Sequence, residues 1–174
     1  MNNLMKSKKL LSILLSITIM LIAATSGTSA ASDIPVNDIP ISDAIHKQTI
    51  EQFIYEIRSI QNQVFDIAQF ALNNPPLFAE RLTANIRVIN SRIDSLNIRI
   101  TQYLETIPSI GNQNIHVLLT LNALIFVKNG LFTLSVLTGT PDNVQRIALL
   151  DQYFRSRIAA IDTLNTVENL ISQY

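Results

Sequence analysis

The chain contains no cysteine, so disulfide bonds and thiolate metal sites are excluded and its fold depends on packing alone. Tryptophan is also absent, and only four glycines occur in 174 residues. The sequence has no Gly-rich segment that would cradle a phosphate at the start of a helix, and no Gly-x-Ser-x-Gly nucleophile motif. We therefore expect that the protein is not an enzyme.

Charged side chains are scarce as well, at 15% of the residues, and the formal net charge is zero. Without the three lysines near the N-terminus, ten basic and thirteen acidic side chains remain, which is a formal charge of −3. Binding to nucleic acid depends on dense positive charge that neutralises phosphates. We expect no nucleic-acid partner.

Residues 1–30 have the organisation of a secretory signal peptide. Three lysines precede an uncharged apolar run, Leu10–Ala24, and small residues follow it. The run has fifteen residues, whereas a membrane-spanning helix needs roughly 20. We predict cleavage near Ala30 or Ala31 and a secreted, extracytoplasmic protein.

Residues 31–42 contain the unit Asp-Ile-Pro twice, with prolines at positions 35 and 40. Proline lacks a backbone donor and restricts the residue before it, so this segment favours an extended backbone. We predict a Pro-containing linker. Two interpretations remain open: the segment lies along a groove of the folded domain, or it is a free leader.

Apolar side chains recur at alternating spacings of three and four residues between residues 49 and 107. Such a repeat gives a helix one narrow hydrophobic seam, which has to be buried against another helix. The first seam comprises Ile50, Phe53, Ile57, Ile60, Val64, Ile67 and Ala71, and the second comprises Ala79, Leu82, Ile86, Ile89, Ile93, Leu96, Ile100, Tyr103 and Ile107.

Prolines and glycines divide the rest of the chain into four helices of similar length. We predict helices at about 43–73, 76–106, 112–138 and 142–173, with Ser42 or Asp43 as the first cap and Thr140 as the last. Short connections make consecutive helices antiparallel neighbours. The predicted fold of residues 43–174 is all-α, an up-down-up-down four-helix bundle with left-handed, coiled-coil-like packing. A monomer is favoured, and a helical hairpin that dimerises is the alternative.

The third predicted helix is the most apolar. Fourteen of the 21 residues from Val117 to Leu137 are apolar, and Lys128 is the only charge among them. Its apolar side chains contribute about −0.3 to −0.6 kcal/mol each to insertion, whereas a central lysine costs about 2.5 to 3.5 kcal/mol and the asparagines add to this, so spanning is near neutral.

We therefore predict that this helix is buried in the core of the bundle, and membrane insertion is the alternative. In helical projection, one sector of this helix is polar and holds Asn114, Asn122, Lys128, Asn129, Thr133 and Ser135. The opposite line holds His116, Thr120, Ala123, Val127, Gly130 and Leu134. The segment that would enter a membrane in the alternative interpretation includes Leu118, Leu121, Leu124, Ile125, Phe126 and Phe132.

The two histidines of the chain fall on the predicted core side of the first and third helices. In the predicted bundle these helices start at the same end, so His46 and His116 approach each other there, with Glu168 near that end as well. Two imidazoles and a carboxylate can ligate zinc, and two imidazoles can ligate a haem. The chain has no Glu-x-x-His motif or Cys-x-x-Cys-His motif, so ordinary polar residues at a bundle end are the main interpretation, and no cofactor is predicted.

The second helix carries three arginines along one side, Arg81, Arg92 and Arg99. The first helix is mainly acidic, so pairing between the two helices explains this row better than a ligand does. An anionic wall polymer or glycan is the alternative.

Together these features predict an exported, non-enzymatic helical bundle that acts as an interaction or structural module, with a protein or cell-surface partner. A membrane-active protein that uses the third helix is the first alternative. A small metal- or haem-binding bundle is the second.

Overall fold

The fold is a four-helix, all-α bundle, seen in a computed structural model that describes residues 42–73, 79–108 and 111–173. The helices are α1 (Asp43–Asn73), α2 (Ala79–Thr106), α3 (Asn112–Thr138) and α4 (Asn143–Ile171). The predicted fold class is thus confirmed. The predicted signal peptide and almost all of the linker lie outside the described residues, as does the connection between α1 and α2.

The helix boundaries follow local capping chemistry. The Ser42 hydroxyl accepts a hydrogen bond from the Ile45 N–H, so Ser42, one of the two predicted caps, is the N-cap of α1. The prediction for α4 was wrong: Asp142, not Thr140, is its N-cap, because the Asp142 carboxylate accepts from two backbone N–H groups, those of Val144 and Gln145. Thr140 instead donates its hydroxyl proton to the Val136 carbonyl at the end of α3.

Cross-helix contacts define the directions of the helices. Glu56 pairs with Arg99 and Gln63 with Arg92, so α1 and α2 are antiparallel. Asp43 accepts from Gln113, and the side chains of His46 and His116 contact each other, with 70 residues between the partners in both cases. A constant offset means that α1 and α3 run parallel and in register.

Helix α3 is the central element. It packs against all three other helices, whereas α2 and α4 barely touch and therefore flank the α1–α3 pair on opposite sides. The six residues that lie opposite the predicted polar sector of α3 are all buried, but Thr133, which was assigned to that sector, is buried as well. Gly130 of α3 faces Tyr153 of α4, and an added Cβ at Gly130 would lie 3.4 Å from the Tyr153 ring.

Candidate functional site

The two histidines meet at the end of the bundle where α1 and α3 begin. His46 is 0% exposed and His116 is 2% exposed. The Nε2 atom of His46 lies 3.1 Å from Nδ1 of His116, and its Nδ1 atom lies 2.8 Å from the Tyr103 hydroxyl on α2. The structure thus links three helices through a Tyr103–His46–His116 chain of hydrogen bonds, which we call the histidine chain.

A neutral imidazole has one donor and one acceptor nitrogen. Two neutral rings can therefore form both hydrogen bonds of the histidine chain, whichever of the two tautomers is present. Burial lowers the pKa of His46, and the nearby His116 lowers it further, although Asp43 opposes this. Burial also lowers the pKa of His116. If both rings were protonated, two N–H groups would face each other, so the geometry and the pKa shifts favour neutral rings.

The structure places Glu168 away from the histidine chain. Its carboxylate pairs at 2.7 Å with Arg58. Arg58 lies twelve residues beyond His46 on α1, which corresponds to about 18 Å along the helix axis. Among the described residues, no group of three His, Asp or Glu side chains is arranged to hold a metal ion. The structure therefore brings together two of the three predicted metal ligands and not the third.

Two of the three predicted anion-binding arginines contact α1. Arg99 pairs with Glu56, and Arg92 donates to the amide oxygen of Gln63. The side chain of Arg81 lies outside the described residues. These contacts agree with pairing between helices, and each exposed pair of this kind contributes little to stability.

The predicted membrane-insertion segment divides between the two faces of α3. Leu124 is buried, and Leu121 and Phe126 pack partly against the core. Leu118, Ile125 and Phe132 are 48%, 50% and 67% exposed. Helix α3 is therefore so apolar because it carries apolar side chains on its solvent-facing side as well as on its core-facing side.

The solvent-facing side forms a continuous row, which we call the α3 outer row. The row runs along most of the helix with spacings of three and four residues, and all its members are exposed. Its members are Ile115, Leu118, Asn122, Ile125, Asn129, Phe132 and Val136. The sequence analysis placed Asn122 and Asn129 in the polar sector of this helix and did not identify the apolar row, although the spacing of the row is visible in the sequence.

No charged side chain belongs to the α3 outer row. The nearest cation in sequence, Lys128, pairs with Asp94 of α2 at 2.7 Å. Helix α3 is also the one described helix that is long and apolar enough to cross a membrane, judged by length and composition, and half of its most apolar stretch is buried in the bundle. The row is an uncharged surface on the central helix.

The sequence and the fold were compared with known protein families, curated proteins and solved structures. No family model, no curated protein and no solved structure matches the chain.

Proposed function

We propose that this protein is an exported, non-enzymatic interaction module that binds a protein partner through the α3 outer row. The observation that carries this proposal is the exposure of five large apolar side chains in one line on the central helix. Exposed apolar residues are ordinary when they are scattered, but a contiguous row is typical of an interaction site. Export is supported by the signal-like organisation of residues 1–30.

The chemistry of the row indicates the kind of partner. Spacings of three and four residues match the anchors of an amphipathic helix that packs on another helix. Asn122 and Asn129 offer amide groups that can exchange hydrogen bonds across an interface, and no unpaired charge has to be desolvated. The fitting partner is a protein segment with an uncharged, apolar helix face.

A membrane surface is the second candidate, since α3 satisfies the length and composition of a membrane span. In that case α3 would have to leave the core or lie on the bilayer with its outer row inserted. Leaving the core would expose the buried residues of α1, which is unfavourable by about 25 cal/mol per Å² of apolar surface. The protein partner is therefore the better supported candidate.

A pair of matched variants tests the proposal. Ile125→Asp places a charge in the centre of the α3 outer row, and Ile98→Asp places the same charge on α2 at a site of similar exposure, 50% against 55%. Each purified variant serves as bait for extracytoplasmic material of the producing cell. We expect Ile98→Asp to capture the same partner as the unmodified protein and Ile125→Asp to lose it at least about tenfold, because burying an unpaired charge is costly.

Equal capture by both variants, or capture of nothing by the unmodified protein, would contradict the proposal. Flotation with neutral liposomes distinguishes the membrane candidate. Flotation that Ile125→Asp abolishes and Ile98→Asp retains would replace the protein partner with a lipid surface. Leu124→Asp is unsuitable for this purpose, since Leu124 is 1% exposed and its replacement would disrupt the core.

A further inference from the structure

The α3 outer row has the spacing of a heptad seam. From Ile115 to Val136 its members alternate spacings of three and four residues without interruption. Two helices that each carry such a seam can pack against each other along it, as in a coiled coil. The row is also an uncharged, apolar helix face, so it meets the description of its own partner.

The row reads nearly the same in both directions. Ile125 is at its centre, Asn122 and Asn129 follow on either side, and two apolar side chains complete each end. In a dimer with a twofold axis, every contact from one copy to the other is repeated in the reverse sense. An antiparallel pair of rows with the axis near Ile125 satisfies this condition over the whole row.

We propose that the protein partner of the α3 outer row is a second copy of this chain, packed antiparallel across a twofold axis near Ile125. This inference rests on the proposed function, because it names the partner of the same surface. It adds the identity of the partner and the direction in which the two helices run.

The antiparallel arrangement matches side chains by type. Asn122 of one copy lies within about one helical turn of Asn129 of the other, at two equivalent places. A side-chain amide both donates and accepts hydrogen bonds, so the asparagines can pair across the interface. Apolar members meet in the same way, Ile115 near Val136 and Leu118 near Phe132.

The charged side chains beside the row lie on one face of α2. Asp94 pairs with Lys128 of α3, so this face borders α3. Arg87 and Glu105 share the face with each other, because eighteen residues are five turns of a helix. Arg87 lines the groove between α2 and α3 beside Phe132. Helices α2 and α3 are antiparallel, so Glu105 lies beside the start of the row and Arg87 beside its end.

These charges favour the antiparallel orientation. An antiparallel twofold places the two α2 helices on the same side of the interface, so Arg87 of one copy approaches Glu105 of the other, twice. Within the described part of the chain, neither side chain forms an ion pair of its own. Charge pairs at the rim of an interface contribute more to orientation than to affinity.

The size of the contact predicts a reversible dimer. The row is about 32 Å long, and a helix is about 10 Å wide, which gives roughly 600 Å² for the two copies together. Stable complexes bury about 1,200 to 2,000 Å², and transient ones bury less. We therefore expect the dimer to dissociate on dilution.

Sedimentation equilibrium of the purified protein, between about 5 and 500 µM, tests the association. Ile125→Asp brings two like charges together at the axis. Ile158→Asp is the control, since the exposure of the two side chains is similar, 50% for Ile125 and 55% for Ile158. Asn165, two turns beyond Ile158 on the same face of α4, contacts Arg58 of α1, so Ile158 lies away from the row.

We expect the unmodified protein and Ile158→Asp to dimerise with the same Kd, and Ile125→Asp to raise the Kd at least about tenfold. A monomer at every concentration, or a dimer that Ile125→Asp leaves unchanged, would overturn the inference. A monomer that captures a different protein, and loses it with Ile125→Asp, would overturn the inference while supporting the proposed function.

Disulfide cross-linking tests the orientation, since the natural chain has no cysteine to interfere. Ile125→Cys should link to itself, and Ile115→Cys should link to Val136→Cys in an equal mixture. Ile115→Cys alone should link at least about tenfold more slowly, because its two copies lie about 30 Å apart along the helix axes in the antiparallel dimer.

Rapid linkage of Ile115→Cys to itself would show a parallel dimer and overturn the proposed arrangement. All the substituted side chains are exposed, so circular dichroism of the reduced variants should match that of the unmodified protein.

Discussion

At the scale of single residues, the histidine chain makes the stability of the protein depend on pH. The pKa values of His46 and His116 are lowered in the folded state, so the unfolded chain, with histidine pKa values of about 6.5, binds protons more readily. The groups that face the rings are Asp43 on α1 and Tyr103 on α2, together with the partner ring. Proton uptake on unfolding means that stability increases with pH in this range.

We expect the free energy of unfolding to be constant above about pH 7 and to decrease as the pH falls below about 6.5. Urea titrations between about pH 5.5 and 7.5 measure this, above the range in which most carboxylates titrate. His116→Gln should reduce the slope whatever its effect on stability. The chain has no other histidine, so an unchanged slope in this variant would contradict the assigned origin.

The buried Tyr153 and the partly buried Tyr103 provide a second prediction at this scale. Among the described residues, the Tyr153 hydroxyl is the one buried side-chain polar atom that makes no hydrogen bond of normal geometry, although the Arg157 guanidinium lies near it, whereas the Tyr103 hydroxyl contacts His46. An unsatisfied buried polar group is destabilising, and a satisfied one contributes about 0.5 to 1.5 kcal/mol.

We therefore expect Tyr153→Phe to leave the free energy of unfolding unchanged or raise it by up to about 1 kcal/mol, and Tyr103→Phe to lower it by about 1 kcal/mol. Chemical denaturation of both variants at about pH 7.5 gives the comparison. A loss at Tyr153 as large as that at Tyr103 would indicate that the Tyr153 hydroxyl has a partner, such as a water molecule.

At the scale of the element, α3 combines a core face and a solvent face on adjacent residues. Leu124 is 1% exposed and Ile125 is 50% exposed. We expect Leu124→Ala to lower the free energy of unfolding by about 2 to 5 kcal/mol, because it removes packing and leaves a cavity. Ile125→Ala should change it by no more than about 0.5 kcal/mol. Urea denaturation distinguishes the two, and comparable losses would mean that α3 is covered on both faces.

The ends of the elements show what local sequence predicts well. The limits of α1 and α3 agree with those predicted, because prolines, glycines and the Ser42 cap act within a few residues. The predicted cap of α4 was wrong because threonine and aspartate are both good N-caps, so local sequence does not distinguish Thr140 from Asp142. The carboxylate of Asp142 reaches two backbone N–H groups, and this decides between them.

At the scale of the whole molecule, the four helices share one hydrophobic core, in which α3 touches every other helix. We expect a single cooperative unfolding transition. Far-UV circular dichroism reports the helices, and near-UV circular dichroism reports Tyr103 on α2 and Tyr153 on α4. The two signals should coincide in a urea titration. Earlier loss of the far-UV signal would show that one helix separates from the core by itself.

The sequence alone determined that the protein is a helical bundle and which side of each seam helix is buried. The alternating spacing of three and four residues predicts the buried side because a helix repeats every 3.6 residues, so residues such as Ile57 and Val64 share a face. The same reasoning placed both histidines on the core side at one end of the bundle.

Only the tertiary structure decided which polar groups meet. A helix pair can slide by one turn, about 5.4 Å, without changing its buried seam, so spacing alone does not define register. Packing of all four helices fixes it. That register joins His46 to His116, places Glu168 beside Arg58 instead, and leaves Ile125 and Phe132 in solvent on the most apolar helix.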